Sequence, residues 1–305
     1  MPLAQALSGD ARLLPVPDRE DLTVLTVGAS AANLLDSAGR LWSLGGRHLP
    51  DAPGMWRLDL DGVGALRLEP GAVVPLTGGR LRCHGLTVDL RGARPWRPAR
   101  GPRISDPAAA HRAVTQVAGE LRPGVVRRVA GEPPARSTAL VEAVADRLRE
   151  SADAVVAAVR AGDPAAVTGA ARGLVGLGPG LTPSGDDWLA GLAVALHHLG
   201  PARPGPGGPR PAAVVGAVRA AVAPGATTLV SAHMLDHALQ GRGAAPLHDL
   251  LAALAETDLD PATVGAAVDA LLAIGHTSGA DQLCGVLVAL ELFPTEGVSC
   301  PPEVT

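Results

Sequence analysis

The 305-residue chain has no lysine and no tyrosine, one phenylalanine and three cysteines. Without lysine it can build neither a pyridoxal Schiff base nor a Walker-type phosphate loop, since both need the amine. Cys83, Cys284 and Cys300 are odd in number and widely spaced. Neither a disulfide framework nor a zinc pattern is therefore expected, and a reducing, cytoplasmic setting fits. A basic block is also missing. The 26 arginines face 30 acidic residues for a formal net charge of −4, which argues against nucleic acid as a partner. Apolar stretches are broken by Gly, Pro or charge well short of the roughly 18 residues of a membrane span, so no membrane partner is expected. The opening MPLAQALSGDARLLP shows no charged start followed by an apolar run, so no secretory signal is expected either.

What the chain does contain is a duplication. Residues 163–178 (DPAAVTGAARGLVGLG) return 97 positions later as 260–275 (DPATVGAAVDALLAIG). Pro179-Gly180-Leu181 then has no counterpart, and TPSGDDWLAGLAVAL (182–196) lies over HTSGADQLCGVLVAL (276–290) with 8 of 15 positions identical. Alanine and leucine matches mean little in so Ala-rich a chain, but the shared Ser-Gly-x-Asp-x-Leu-x-x-Gly carries weight. A repeated helix–turn–helix whose only insertion falls in the turn points to the turns as the functional part.

The first hundred residues read as short strands. Leu22–Val27 alternates and is β-branched, Asn33–Asp36 and Arg40–Leu44 flank a turn at Ser37–Gly39, and Met55–Leu60 alternates apolar with charged. Ala72–Leu76, the Gly78-Gly79 turn, Leu81–Cys83 and Leu86–Leu90 continue the pattern, and Arg94–Pro107 reads as a linker. After Pro107 the period becomes helical. Ser137 is expected to cap a helix through Arg160 that stops at Gly162, Asp163-Pro164 and Asp260-Pro261 open two more, and Gly200–Pro211 reads as a loop. Further helices are expected at about 212–222, 228–240, 246–255, 261–274 and 279–292. The expected fold class is α+β. A small all-β domain, sandwich or barrel, covers 1–105, and an all-helical domain of about seven helices covers 106–305 with the pseudo-repeat 163–196 / 260–290.

Ser184-Gly-Asp-Asp187 and Ser278-Gly-Ala-Asp281 have a structural reading as capping boxes, each worth about 1 kcal/mol. The functional reading starts from the Gly- and Pro-rich turn 176–183. A helix start with free amides and hydroxyls suits a small anion, with Gly180, Thr182, Ser184 and Gly185 in one copy and Thr277, Ser278 and Gly279 in the other. Thr227, Thr228 and Ser231 form a third hydroxyl-rich helix start. The acids Asp186, Asp187 and Asp281 would repel an anion unless they hold Mg²⁺ between them or accept from an amide such as a carbamoyl group. Both options stay open. Asp186 faces Ala280 in the repeat, and that asymmetry marks it as the chemical group; on this reading Asp186→Asn removes activity with little change in melting temperature. His276, alone in a glycine turn, is the candidate proton carrier. Gly191 and Gly285, two turns inside their helices, suggest close helix–helix approach. His233 and His237 are four apart, but no third ligand accompanies them, and a polar helix face explains them better than zinc.

At GLGPGLTPSGDDWLAG (176–191) and IGHTSGAD (274–281) the chain resembles the AllH family, over about 165–292. That family is associated with an oxamate carbamoyltransferase of allantoin breakdown, alongside FdrA and AllG. The resemblance implies phosphorolysis of oxalurate to oxamate and carbamoyl phosphate, a small anionic ligand, and FdrA-like and AllG-like subunits as partners. It does not assign steps to subunits. The expectation is a subunit of a carbamoyltransferase-type enzyme. The alternatives are a non-catalytic carboxylate-binding or scaffold subunit, and a ligand-free helical hairpin supporting an assembly.

Overall fold

The computed structural model describes residues 2–98, 101, 103–121, 139–199 and 209–293. They belong to two compact units, 1–99 and 100–305.

The first unit holds nine strands: β1 (Leu3–Asp10), β2 (Arg19–Val27), β3 (Ala31–Leu35), β4 (Leu41–Gly45), β5 (Met55–Leu58), β6 (Val73–Thr77), β7 (Arg80–Arg82), β8 (Thr87–Asp89) and β9 (Arg94–Trp96). They make one sheet in the order β5-β4-β3-β2-β6-β7-β8-β1-β9, and β1 pairs with β5 as well. The expected fold class is therefore corrected. In place of a small sandwich-or-barrel domain and about seven helices, eight strands close into a barrel with a ninth added on β1, and nine helices occur among the described residues. Closure pairs the strand edges that an open sheet would expose.

The sequence reading gives β1 no strand, because its alternation is inverted. Ala4 and Ala6 point inward, whereas Leu3 and Leu7 are 52% and 39% exposed. Small inward residues make room for bulk from elsewhere: Trp42 and Trp56 stack with ring centroids 5.9 Å apart, and a Cβ on Gly9 would stand 2.4 Å from the Trp56 ring. Leu22, Leu34, Leu44, Leu58, Leu76 and Leu81 complete the interior. The reading of Arg94–Pro107 as a linker is also corrected, since Arg94–Trp96 is β9, parallel to β1. Pro95 is tolerated there because β9 ends the sheet order, where a missing N–H leaves no ladder bond unmade.

In the second unit the helices are α1 (Pro107–Leu121), α2 (Ala139–Arg160), α3 (Pro164–Arg172), α4 (Ser184–His198), α5 (Pro211–Ala221), α6 (Leu229–Ala238), α7 (Ala245–Ala253), α8 (Pro261–Leu272) and α9 (Ser278–Leu292). Asp163 and Asp260 cap α3 and α8, each accepting from two first-turn amides. The expected cap Ser137 and most of the expected loop 200–211 lie outside the described residues; Pro211 opens α5. The second copy of the repeat is α8–turn–α9 and the first is α3–turn–α4. Helices α4 and α9 are buried along most of their length and form the middle of the core. Among the described residues no helix is long and apolar enough to cross a membrane.

Candidate functional site

The two copies meet through glycine. A Cβ on Gly191 of α4 would lie 2.0 Å from the Gln282 carbonyl oxygen of α9, and a Cβ on Gly285 of α9 would lie 2.1 Å from the Trp188 carbonyl oxygen of α4. The two contacts are the same contact taken twice, because Trp188 aligns with Gln282 and Gly191 with Gly285 in the repeat. A pseudo-twofold axis therefore passes between α4 and α9. The helix starts obey it too. Gly185 would clash with Leu174 O at 2.0 Å and Gly279 with Leu271 O at 1.9 Å if either carried a Cβ, so each α-helix begins pressed against the end of the helix before it. The Gly185 amide donates to Leu177 O (2.9 Å) and the Gly279 amide to Ile274 O (3.1 Å). Those two amides are thus occupied by backbone rather than facing a ligand.

Neither serine acts as a capping box. Ser184 and Ser278 are the first helical residues, behind Pro183 and Thr277, and neither of those positions makes a side-chain cap bond. Instead the turns touch directly, with Thr182 Oγ1 and Ser278 Oγ 3.1 Å apart across 96 residues of chain. This contact brings the twin turns to one place.

Asp186 is a tie between three segments. Buried in the first turn of α4, it accepts from the Gly176 amide (2.9 Å), the Ser231 hydroxyl (2.7 Å) and the Thr227 hydroxyl. Thr228 caps α6 by accepting from the Ser231 amide and itself donates to Leu181 O. The third hydroxyl-rich helix start thus holds the first turn in place, a tie that Ala280, with no polar side chain, cannot make in the second copy.

Asp187, its neighbour, is in the opposite condition. It is 4% exposed; Oδ1 accepts from Gln282 Nε2 at 3.3 Å, and buried Oδ2 has no hydrogen-bond donor. Burial pushes its pKa up to about 7, against the pull of Ser278, Gln282 and Thr182 and with help from the Asp281 charge. Of the Thr182 and Ser278 hydroxyls, one donates to the other, which leaves a single hydroxyl proton free beside the carboxyl group. Asp281, the repeat partner of Asp187, is buried as well. Between about pH 4 and 7 the folded protein keeps a proton on Asp187 that the unfolded chain has released, so stability is expected to fall as pH rises through that window. Asp187→Asn should flatten this slope and make the protein more stable than wild type at pH 8, by at most about 4 kcal/mol. Thermal melts of both proteins at pH 5 and pH 8 check it; parallel shifts would refute the assignment.

The other candidates are more scattered. Gly180 adopts φ +102 in an exposed stretch with open space where a Cβ would go, and His276 is exposed. Thr277 precedes α9 and is half-buried. Gln282 and the Gly176 amide were not expected. Gln282 left a trace in the repeat, a polar residue where the first copy has Trp188. A three-carboxylate Mg²⁺ site does not fit this arrangement, since both Asp186 oxygens already accept from protein donors. Among the described residues no three His, Cys, Asp or Glu side chains gather as a metal would require. His237 Nδ1 lies 3.1 Å from Arg242. His248 accepts the Gly243 amide, and burial with the nearby His198 and Arg242 pushes its pKa down to about 4.

No solved structure matches the chain at a significant level. Two family descriptions do match: the oxamate carbamoyltransferase subunit AllH over residues 174–290, and the AllH family N-terminal domain over residues 5–95. The first span contains both turns and the α4–α9 pair, and the second covers the barrel. With both of its units matched, the chain belongs to the AllH family.

Proposed function

We propose that this chain works as a subunit of a carbamoyltransferase-type enzyme acting on oxalurate or oxamate and carbamoyl phosphate, with the junction of the twin turns as its ligand seat. The observation that supports this is Asp187 Oδ2, a buried acceptor without a donor beside the Thr182–Ser278 hydroxyl pair. In its ionised form such an oxygen suits an N–H from outside the chain, because leaving it unmet costs about 1–3 kcal/mol. A carbamoyl amide supplies one, and the paired hydroxyls with Gln282 suit the adjoining oxygens. In phosphorolysis the carbamoyl carbon passes from nitrogen to a phosphate oxygen, and the departing oxamate nitrogen takes up a proton. In this proposal Asp187, poised near neutrality, supplies it, while Asp281 keeps its pKa high. His276, exposed in the turn, remains a second proton carrier at the rim. Asp186, Thr228 and Ser231 hold the first turn, and Gly185 and Gly279 let both turns approach.

The partners in this proposal are FdrA-like and AllG-like subunits. The test is carbamoyl phosphate formation from oxalurate and phosphate by the reconstituted complex. Asp187→Asn should lower kcat by about 100-fold with a melting temperature at pH 8 no lower than wild type. Undiminished turnover together with undiminished oxamate binding would remove the seat from the twin turns. The occupied Gly185 and Gly279 amides favour a second reading, a subunit that binds the small carboxylate without turning it over. Calorimetric binding of oxamate that Asp187→Asn abolishes, with turnover unchanged, would select that reading.

A further inference from the structure

The barrel carries a second feature that the twin turns leave unused. Strand β6 pairs with β7 only as far as Leu76 opposite Leu81. The next residue back is Pro75, whose nitrogen has no hydrogen to extend the ladder. Where the ladder ends, a pocket of about 210 Å³ opens, lined by Val73–Pro75, the turn Arg82–His84 and Arg67. Three of its lining side chains are cationic or can become so, Arg67, Arg82 and His84, and no carboxylate lines it. Arg40, Arg80, Arg91 and Arg94 each form an ion pair with an aspartate, whereas Arg67 and Arg82 have no such partner among the described residues.

The backbone is held out of its ordinary range to build this corner. Arg67 has φ +49 and is the one non-glycine residue in the left-handed region among those described. For a bulky side chain that conformation is costly, and it persists where the surroundings impose it. Gly85 helps impose it: a Cβ there would lie 2.2 Å from Ala65 O and 3.4 Å from Arg67 Cγ, so the 83–86 turn sits directly on the arginine stem. The Cys83 amide closes that turn onto Leu86 O at 3.1 Å. Cys83 itself forms an inert wall, with its thiol pushed up to about 11 by burial.

We infer that this pocket on the barrel wall binds a small oxyanion of two negative charges, a phosphate or a short dicarboxylate, clamped between Arg67 and Arg82 with His84 at its side. The volume is small beside the roughly 300 Å³ or more of drug-sized sites, and two guanidinium forks match the planar pairs of oxygens of either ion.

The full chain titrated calorimetrically with orthophosphate and, separately, with malonate tests the inference and tells the two sources apart. Saturable binding of at least one is expected, weakened about tenfold or more by Arg82→Gln and by Arg67→Gly. Arg67→Gly also relieves the left-handed strain, so its melting temperature should rise by a few degrees while binding is lost. A misfolded variant thus cannot imitate the result. Absence of saturable binding by wild type up to about 10 mM of both ions, or binding that both variants retain, would overturn it. Asp187→Asn should leave this binding unchanged; loss of it in that variant would also overturn the assignment and trace the ion to the twin turns.

Discussion

Gly191→Ala is expected to cripple folding of the helical unit. In an isolated helix the substitution would be favourable by about 1 kcal/mol. Here the new methyl would meet the Gln282 carbonyl oxygen at 2.0 Å and its carbon at 2.7 Å. Both are backbone atoms of a buried helix and cannot swing aside. Relieving the overlap means moving α4 from α9 by more than about 1 Å, which loosens the packing of Leu189, Leu192, Leu283 and Val286 together. The loss should reach about 4 kcal/mol or more and lower the melting temperature by about 10 °C or more. Gly285→Ala should behave alike, because it strikes Trp188 O at 2.1 Å across the same axis. Once either change has parted the helices the other meets less resistance, so the double variant should lose less than the sum. Circular dichroism melts of the three variants measure this. Single variants within about 3 °C of wild type would mean that the crossing is not as close as described.

Asp186→Ala should be almost as damaging. Three donors converge on that carboxylate, the Gly176 amide and the Thr227 and Ser231 hydroxyls. Truncation leaves them in a buried place with no acceptor, at about 1–3 kcal/mol each. Hydroxyls can rotate toward other partners and the amide cannot, so a net loss of about 3–5 kcal/mol is reasonable, or about 10 °C in a unit of this size. Asp186→Asn should be milder. Its carbonyl oxygen can keep the amide bond while its NH₂ donates to hydroxyls that turn to accept. The order Ala worse than Asn worse than wild type, read in melting temperature with the ligand absent, identifies a fastening group. Equal stability with lost activity would return Asp186 to the chemistry that its sequence asymmetry suggests.

The repeat made the meeting of the twin turns legible in the sequence. Offsets in the sequence paired Ser184 with Ser278 and Gly191 with Gly285, and interior helix glycines foretold the close crossing. What the pattern could not convey was the division of labour between adjacent acids. Asp186 and Asp187 look alike in sequence, but one helix position turns toward the α6 start with its donors and the next toward α9, where donors run short. The serines misled for a related reason: Ser-x-x-Asp is a capping signature only when serine precedes the helix, and here Pro183 and Thr277 take that place. The barrel was legible strand by strand except at its closing element. Period-two reasoning seeks large apolar residues facing inward, and β1 presents alanines inward and leucines outward. The space they leave is filled by tryptophans from elsewhere in the chain, which is information no local window contains.

Writing both halves of a twofold arrangement into one polypeptide frees each from its twin. In a symmetric dimer any substitution is enforced on both sides of the axis at once. Here Pro179-Gly180-Leu181 could be inserted, and an acid installed at 186, on one side alone. If the proposed seat lies between the turns, that asymmetry would let it tell one end of a ligand from the other.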